Sequence, residues 1–347
     1  MIKNILERNY NLRQYYNIGR CYLRNKLFNI STISSIELIN TLRCNARCNF
    51  CSNYKLAPDE MTMSIETGIH TLKQVVRSKI PSVIFLGGEG ILDNNIFEYF
   101  AFCKEHSIYV QYASNGILLD EKMIDRFKDY GVRQVCITIH DSLPEKHDVI
   151  IGVPGGFEKI VNAFRIMKKE GFLVSCKTIY SKESIRSGAF FRILEFAKTE
   201  GLTFSANPYI PVGRAVGPDT RLDDFEIQEY YRICRENNIN DHIYNGWYVG
   251  CPAGKRYFGV LPDGQLLPCY FLPISVGNIR EHGFDEAIKI CSKIPLFAKN
   301  HQICPASQSD LLYREIIQPL YADTRLKLPI DITQDYELYN KLITLDF

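Results

Sequence analysis

The sequence predicts an α/β protein in which six βα units carry a parallel sheet and a smaller second unit follows. Three observations lead there. From about residue 34, short β-branched runs alternate with amphipathic stretches. Gly131, Gly171 and Gly201 each close a helical stretch just before a strand, where a left-handed C-cap belongs. After Pro211-Val212-Gly213-Arg214-Ala215 the alternation stops and a Gly/Pro/Cys-rich stretch begins.

The strands fall at Ser35–Asn40, Ser82–Leu86, Tyr109–Ala113, Gln134–Ile139, Leu173–Ile179 and Thr203–Asn207, each bounded by turn residues. Helical periodicity runs through Ile65–Ser78, Ile96–Glu105, Glu121–Asp129, Phe157–Lys169 and Phe190–Thr199. Periodicity alone leaves a doubly wound sheet and an open, partial barrel equally open. Either way the chemistry collects at the carboxyl ends of the strands. There the sequence places its most unusual loops: a cysteine triplet after the first strand, Gly87-Gly88-Glu89 after the second, Ser114-Asn115-Gly116 after the third and His140-Asp141 after the fourth.

The 347 residues are enough for a core of about 200 residues and an appendage. We divide the chain into a basic helical segment (1–33), the βα repeat (34–215), a helical linker (216–246), a cysteine-bearing unit (247–310) and a C-terminal tail without a clear period (311–347). A net charge of +2 gives no reason to expect a nucleic-acid partner. No apolar run is long enough for a membrane span and the first residues are too polar for a signal peptide, so the expected location is cytoplasmic.

Twelve cysteines in a reducing compartment point to metal or redox sites. Cys44, Cys48 and Cys51 crowd into eight residues, whereas Cys251, Cys269 and Cys304 stand in turn-rich settings. Cys21, Cys103, Cys136, Cys176, Cys234 and Cys291 sit among apolar neighbours, where free cysteine packs as a small hydrophobe. An iron–sulfur cube takes one thiolate on each protein-held iron, so three close cysteines leave one iron for an external chelator. Zinc would need a fourth ligand that the neighbourhood lacks.

The CxxxCxxC spacing, with Phe50 just before its last cysteine, resembles the radical S-adenosylmethionine (SAM) superfamily over residues 34–215. The resemblance implies a partial (β/α)6 TIM-like barrel. It also implies a [4Fe–4S] cluster on Cys44, Cys48 and Cys51 that cleaves SAM reductively to a 5′-deoxyadenosyl radical. Gly87, Gly88 and Glu89 look like the stretch whose edge holds the SAM amino group, and Ser114 and Asn115 like the motif near the ribose. Thr138 matches the polar residue near the SAM carboxylate and Phe50 the residue beside adenine. The proline usual after Gly-Gly-Glu is Gly90 here.

The segment from Cys251 to Cys269 reads as a β-hairpin turning at Pro262-Asp263-Gly264, which brings its two thiols together. With Val276-Gly277-Asn278-Ile279 it resembles the SPASM/twitch extension of radical SAM enzymes, a small C-terminal iron–sulfur domain. The resemblance implies one auxiliary [4Fe–4S] cluster on Cys251, Cys269 and Cys304, its fourth iron open or bound by Ser307, Asp310 or Cys291. Zinc binding or inert packing is the alternative role for Cys251 and Cys269, and cluster ligation is the expectation.

The expected activity is hydrogen abstraction from a substrate carbon, leading to oxidation, cross-linking or epimerisation. A peptide is the leading substrate, with a sugar, alcohol or lipid-linked small molecule close behind and a reductant such as flavodoxin or ferredoxin as partner. A non-catalytic iron–sulfur electron carrier is the reading of another class; a barrel with SAM-contact motifs in order argues against it. On the fourth strand Cys136 shares a face with Thr138 and His140, and on the fifth Cys176 shares one with Thr178 and Tyr180. Either thiol could return a hydrogen atom to a substrate radical; core packing is the simpler role for both. Lys3, Arg8, Arg13, Arg20, Arg24 and Lys26 face a single acid, Glu7, in the first segment. Such a segment suits phosphate-bearing substrates or a membrane surface, but a solvated helix packed on the barrel is the expectation.

Overall fold

The computed structural model describes residues 11–27, 32–53, 60–217, 220–239, 241 and 250–345. Lys3 and Arg8 of the basic segment, Trp247, and residues 218, 219, 240 and 242–246 of the linker lie outside them.

A basic helix α1 (Leu12–Leu27) precedes β1 (Ser35–Thr41), α2 (Ile65–Arg77), β2 (Ser82–Gly87), α3 (Ile96–Glu105), β3 (Tyr109–Ser114), α4 (Glu121–Asp129) and β4 (Gln134–Thr138). Then come α5 (Pro144–Ile151), α6 (Gly156–Lys169), β5 (Leu173–Tyr180), α7 (Lys182–Arg186), α8 (Ala189–Thr199) and β6 (Thr203–Pro208). Caps fix several helix starts. Ser64 accepts from the Thr67 N–H at 3.1 Å to open α2, and Asp120 accepts from the Met123 N–H at 2.8 Å to open α4.

Strand order settles what periodicity left open. The first six strands lie side by side in sequence order, each parallel to the next. A doubly wound sheet reverses its order at a switch point. An unreversed order with crossovers of one hand keeps the helices on one face, and this is the winding of a barrel. β6 and β1 do not pair, so the barrel is partial.

The two strand faces differ in burial. On β5, Val174, Cys176, Thr178 and Tyr180 are buried in the layer shared with α6 and α8, while Ser175, Lys177 and Ile179 are half-buried on the other face, toward the lumen. Cys136 and Thr138 on β4 belong to the half-buried lumen set.

The cysteine-bearing unit is continuous with the barrel. Its β7 (Tyr257–Val260) pairs parallel with β1, and β8 (Leu266–Leu267) returns antiparallel, the hairpin expected from Pro-Asp-Gly. Gly264 turns there at φ 91°, in the left-handed region. Val276 and Gly277 then hydrogen-bond Leu266. A further helix, α9 (Asp224–Glu236), precedes the hairpin and α10 (Phe284–Cys291) follows it. The tail is not loose: Leu312, Ile316, Ile317, Tyr321, Leu338 and Leu342 are buried in the same apolar cluster as Ile36 and Phe258.

Candidate active site

The chain from Thr41 to Cys51 leaves the carboxyl end of β1 and is held from three sides. Gly87 and Gly88 run directly against it: a Cβ on Gly87 would lie 2.1 Å from the Thr41 carbonyl oxygen, and one on Gly88 2.2 Å from that of Arg43. Only glycine admits this approach, which lets Gly88 N–H donate to Thr41 O at 2.8 Å and Glu89 N–H to Arg43 O at 2.7 Å. On a second side the Arg47 N–H donates to Ile151 O at 2.8 Å, at the end of α5. On the third, Gly213 at φ 64° packs so close that a Cβ would lie 2.3 Å from the Cys51 carbonyl oxygen. Arg214 donates from its backbone to Cys51 O and from its guanidinium to Cys48 O, each at 3.0 Å.

Glu89 is wholly buried, which pushes its carboxyl upward, while hydrogen bonds to its anionic form oppose the rise. It accepts from the Tyr112 hydroxyl, from Ser114 Oγ at 3.0 and 3.1 Å and from the Asn115 N–H at 3.0 Å. A carboxylate so engaged anchors the loop and leaves the Gly-Gly backbone edge for a ligand. Ser114 Oγ also accepts from the Gly116 N–H at 2.8 Å, so its polar capacity is used internally and it bears on the site through Glu89. Asn115 reaches the triplet: Nδ2 donates to Asn45 Oδ1 at 2.7 Å and lies 3.7 Å from Cys44 Sγ. Gly90 keeps the loop in place where a proline was expected, its carbonyl accepting from Asn40 Nδ2 at 2.9 Å.

Phe50 stands edge-on to His140, ring centroids 4.7 Å apart. Burial, then neighbouring His147, holds His140 down to about 3, so it is neutral. Thr138 ends β4 beside Lys177 of β5. Of the two thiols considered as hydrogen donors, the structure separates them. Cys136 is half-buried on the lumen face, its Sγ 4.0 Å from Ser205 Oγ. Cys176 is fully buried on the opposite face, toward the helix layer, so it cannot meet a substrate in the lumen and the role is withdrawn for it.

Both cysteine triads fit an iron–sulfur cluster. Cys48 is pushed up to about 12 by burial first and then by Cys51 and Cys44, and Cys304 up to about 12 by burial first and then by Cys251. Cys269 feels both Cys251 and Cys304. Crowded thiols of this kind ionise when cationic irons replace their protons. No group of three or more His, Cys, Asp or Glu among the described residues is placed to hold a metal ion; a cube instead spreads its thiolates over separate irons. Cys291 is fully buried against Gly254 and raised by burial alone. Asp310 is paired with Arg221 and with Arg314 at 2.9 Å, and Ser307 Oγ donates to Cys304 O at 3.0 Å.

Sequence reasoning missed the link between the two triads. Asn53, just beyond Cys51, donates from Nδ2 to Gly87 O at 2.7 Å and accepts from the hydroxyl of Tyr270, the neighbour of Cys269. Its partner lies 217 positions away, beyond any local signal.

An α/β partial barrel with a cysteine triplet at the mouth of its first strand, and two further cysteines bracketing a hairpin added to that strand, defines the class. Residues 38–181 match the sequence model of the radical SAM superfamily and residues 251–304 that of the SPASM iron–sulfur cluster-binding domain. The chain is a radical SAM enzyme with a SPASM/twitch-type C-terminal extension, and its cofactors are a [4Fe–4S] cluster with SAM and auxiliary iron–sulfur chemistry in the extension. It is 25% identical to the AdoMet-dependent heme synthase of Methanosarcina barkeri over 71% of this chain and 79% of that protein. It is 24% identical to the PqqA peptide cyclase of Granulibacter bethesdensis over 75% of this chain and 74% of that one. Its fold is similar to Streptococcus suis SuiB bound to the precursor peptide SuiA (TM-score 0.59, 18% identity, 80% of this chain and 70% of that one). It is similar too to anSMEcpe with bound AdoMet and Cp18Cys peptide (TM-score 0.59, 18% identity, 89% and 96%).

Proposed function

We propose that the chain abstracts a hydrogen atom from a carbon of a peptide substrate bound in the barrel lumen. The observation that carries this reading is the polarity of that lumen. Half-buried Glu37, Gln111, Gln134, Thr138, Ser175, Lys177, Ser205 and Asn207 offer alternating donors and acceptors, which matches the repeated N–H and C=O groups of a peptide backbone. Lys177 Nζ lies 3.2 Å from the Asn207 side-chain oxygen, and Tyr257 donates to Glu37.

Cys44, Cys48 and Cys51 would hold the SAM-binding cluster, whose chemistry, once bound, is reductive cleavage of SAM to a 5′-deoxyadenosyl radical. The protein's share is positional. The Gly87-Gly88 edge, fixed by Glu89, would meet the SAM amino group, Thr138 its carboxylate, Asn115 its ribose and Phe50 its adenine. The Ala46 N–H, 3.4 Å from Cys44 Sγ, and Asn115 Nδ2 would donate to a Cys44 thiolate. Cys251, Cys269 and Cys304 would hold one auxiliary cluster. The named heme synthases among the relatives support a second reading, a tetrapyrrole substrate.

Reconstituted protein given SAM, reductant and a candidate peptide deuterated at Cα and Cβ tests the proposal. Deuterium in the 5′-deoxyadenosine is the expected result. Deuterium transfer from an iron porphyrin precursor but from no peptide would favour the second reading, and 5′-deoxyadenosine that never carries substrate deuterium would overturn hydrogen abstraction.

A further inference from the structure

α1 packs across the amino end of the barrel, opposite the cysteine mouth. Its inner face is accounted for. Cys21 is buried with Sγ 3.6 Å from Ile33 O, Arg20 donates to Lys79 O at 3.2 Å and Gln14 Nε2 to Ile108 O at 3.3 Å. Lys79 follows the carboxyl end of α2, so Arg20 also meets the negative end of that helix dipole.

The outer face is not explained by that packing. Leu12 is 89% exposed, Tyr16 68% and Leu23 47%, and their spacing puts them on one stripe. No other described helix exposes three large hydrophobic side chains. Arg13, Arg20 and Arg24 flank the stripe, and α1 contains no acid. Between α1 and the barrel lies a cleft of about 330 Å³ lined by Arg13, Tyr16, Asn17, Arg20, Lys79 and His106 over an apolar floor. Cations and donors without a carboxylate, arranged round a space of this size, suit a phosphate group.

We propose that α1 and this cleft form a docking site for an anionic phospholipid surface. Leu12, Tyr16 and Leu23 enter the boundary between headgroups and acyl chains, the arginines meet lipid phosphates, and one headgroup phosphate occupies the cleft. A second copy of this chain fits less well, because pairing the stripe with itself would oppose arginines to arginines with no acid in the helix to relieve them. No described helix is long and apolar enough to cross a membrane, so the contact is at the surface. It would direct the cysteine mouth away from the bilayer.

The test is flotation of the full chain with vesicles of pure phosphatidylcholine and with vesicles of equal parts phosphatidylcholine and phosphatidylglycerol. Binding to the mixed vesicles alone, weakened by salt, is expected. Leu12→Glu and Leu23→Glu should each abolish it and Arg13→Gln weaken it roughly fivefold, one surface cation's worth. All three positions are exposed, so circular dichroism spectra and melting temperatures should match the parent. Equal binding to both vesicle types would overturn the proposal, as would binding that survives both leucine changes. So would stabilisation by inorganic phosphate without any vesicle binding, or a dimer by light scattering that Leu23→Glu splits.

Discussion

Tyr270 donates its hydroxyl hydrogen to Asn53 Oδ1, joining the neighbour of Cys269 to the residue that ends the triplet loop, while Asn53 Nδ2 holds the Gly87 carbonyl at 2.7 Å. One side-chain amide thus ties the SPASM hairpin to both the triplet loop and the Gly-Gly-Glu loop. Tyr270→Phe removes this tie without touching a cysteine. We expect unchanged iron content and a five- to tenfold rise in the SAM concentration needed for half-maximal 5′-deoxyadenosine formation, the worth of about 1 kcal/mol for a net hydrogen bond. An unchanged SAM dependence would mean that the tie is only structural.

Cysteine substitutions should sort the triads. Cys44→Ala, Cys48→Ala or Cys51→Ala should end SAM cleavage, because each removes one of three protein corners. Wild type should carry about eight irons, and the triple replacement of Cys251, Cys269 and Cys304 about four. Cys291→Ala should keep the full count, since burial alone, and no triad thiol, raises Cys291. Iron assay and electron paramagnetic resonance check all of these, and loss of the second cluster with Cys291 alone would refute the ligand assignment.

Turnover in deuterated solvent separates the lumen thiol from the core thiol. Cys136→Ala should lower solvent deuterium incorporation into product if an epimerised centre is formed, because Cys136 faces the lumen. Cys176→Ala should leave turnover intact and lower stability by roughly 1 kcal/mol through a small cavity. Mass spectrometry of the product and thermal melts give the two readouts.

Asp141 provides a pH-dependent stability element. Burial raises its carboxyl, but Arg192, donating through Nε at 3.0 Å and Nη2 at 2.6 Å, and the Leu143 N–H at 3.1 Å draw it below the usual aspartate range. A depressed folded-state value adds stability that is present above the unfolded value of about 3.9 and lost as pH falls through the folded one. Arg192→Met should therefore cost about 2–3 kcal/mol at neutral pH, by leaving a buried carboxylate unpaired. It should also move the acid-unfolding midpoint upward. Denaturant titrations from pH 2 to 7 check the sign.

Gly213→Ala tests the closest approach to the triplet. Its Cβ would meet the Cys51 carbonyl oxygen at 2.3 Å, in a backbone conformation unfavourable for alanine. Iron loading of the SAM-binding cluster should fall while the auxiliary cluster stays.

The six strands and five of the helices between them were legible because hydrophobic period and glycine caps act within a few residues. The triplet and its companion loops were legible because a cluster and its ligand demand short, fixed spacings. α5 was missed: Pro144 opens it without a side-chain cap, and it carries little apolar periodicity. The buried tail was missed for a related reason, since its apolar residues answer to distant partners.

Alone, the sequence determined which segments become strands and helices, and which thiols stand together in the triplet. Tertiary structure decided the unreversed strand order that makes a partial barrel, the addition of β7 to β1, and the opposite fates of Cys136 and Cys176. It also joined Asn53 to Tyr270 and left the outer stripe of α1 uncovered. Local periodicity fixes how a segment folds and which of its residues share a face. The choice of the face that meets the core, and of its partners, is made by packing between segments tens to hundreds of residues apart.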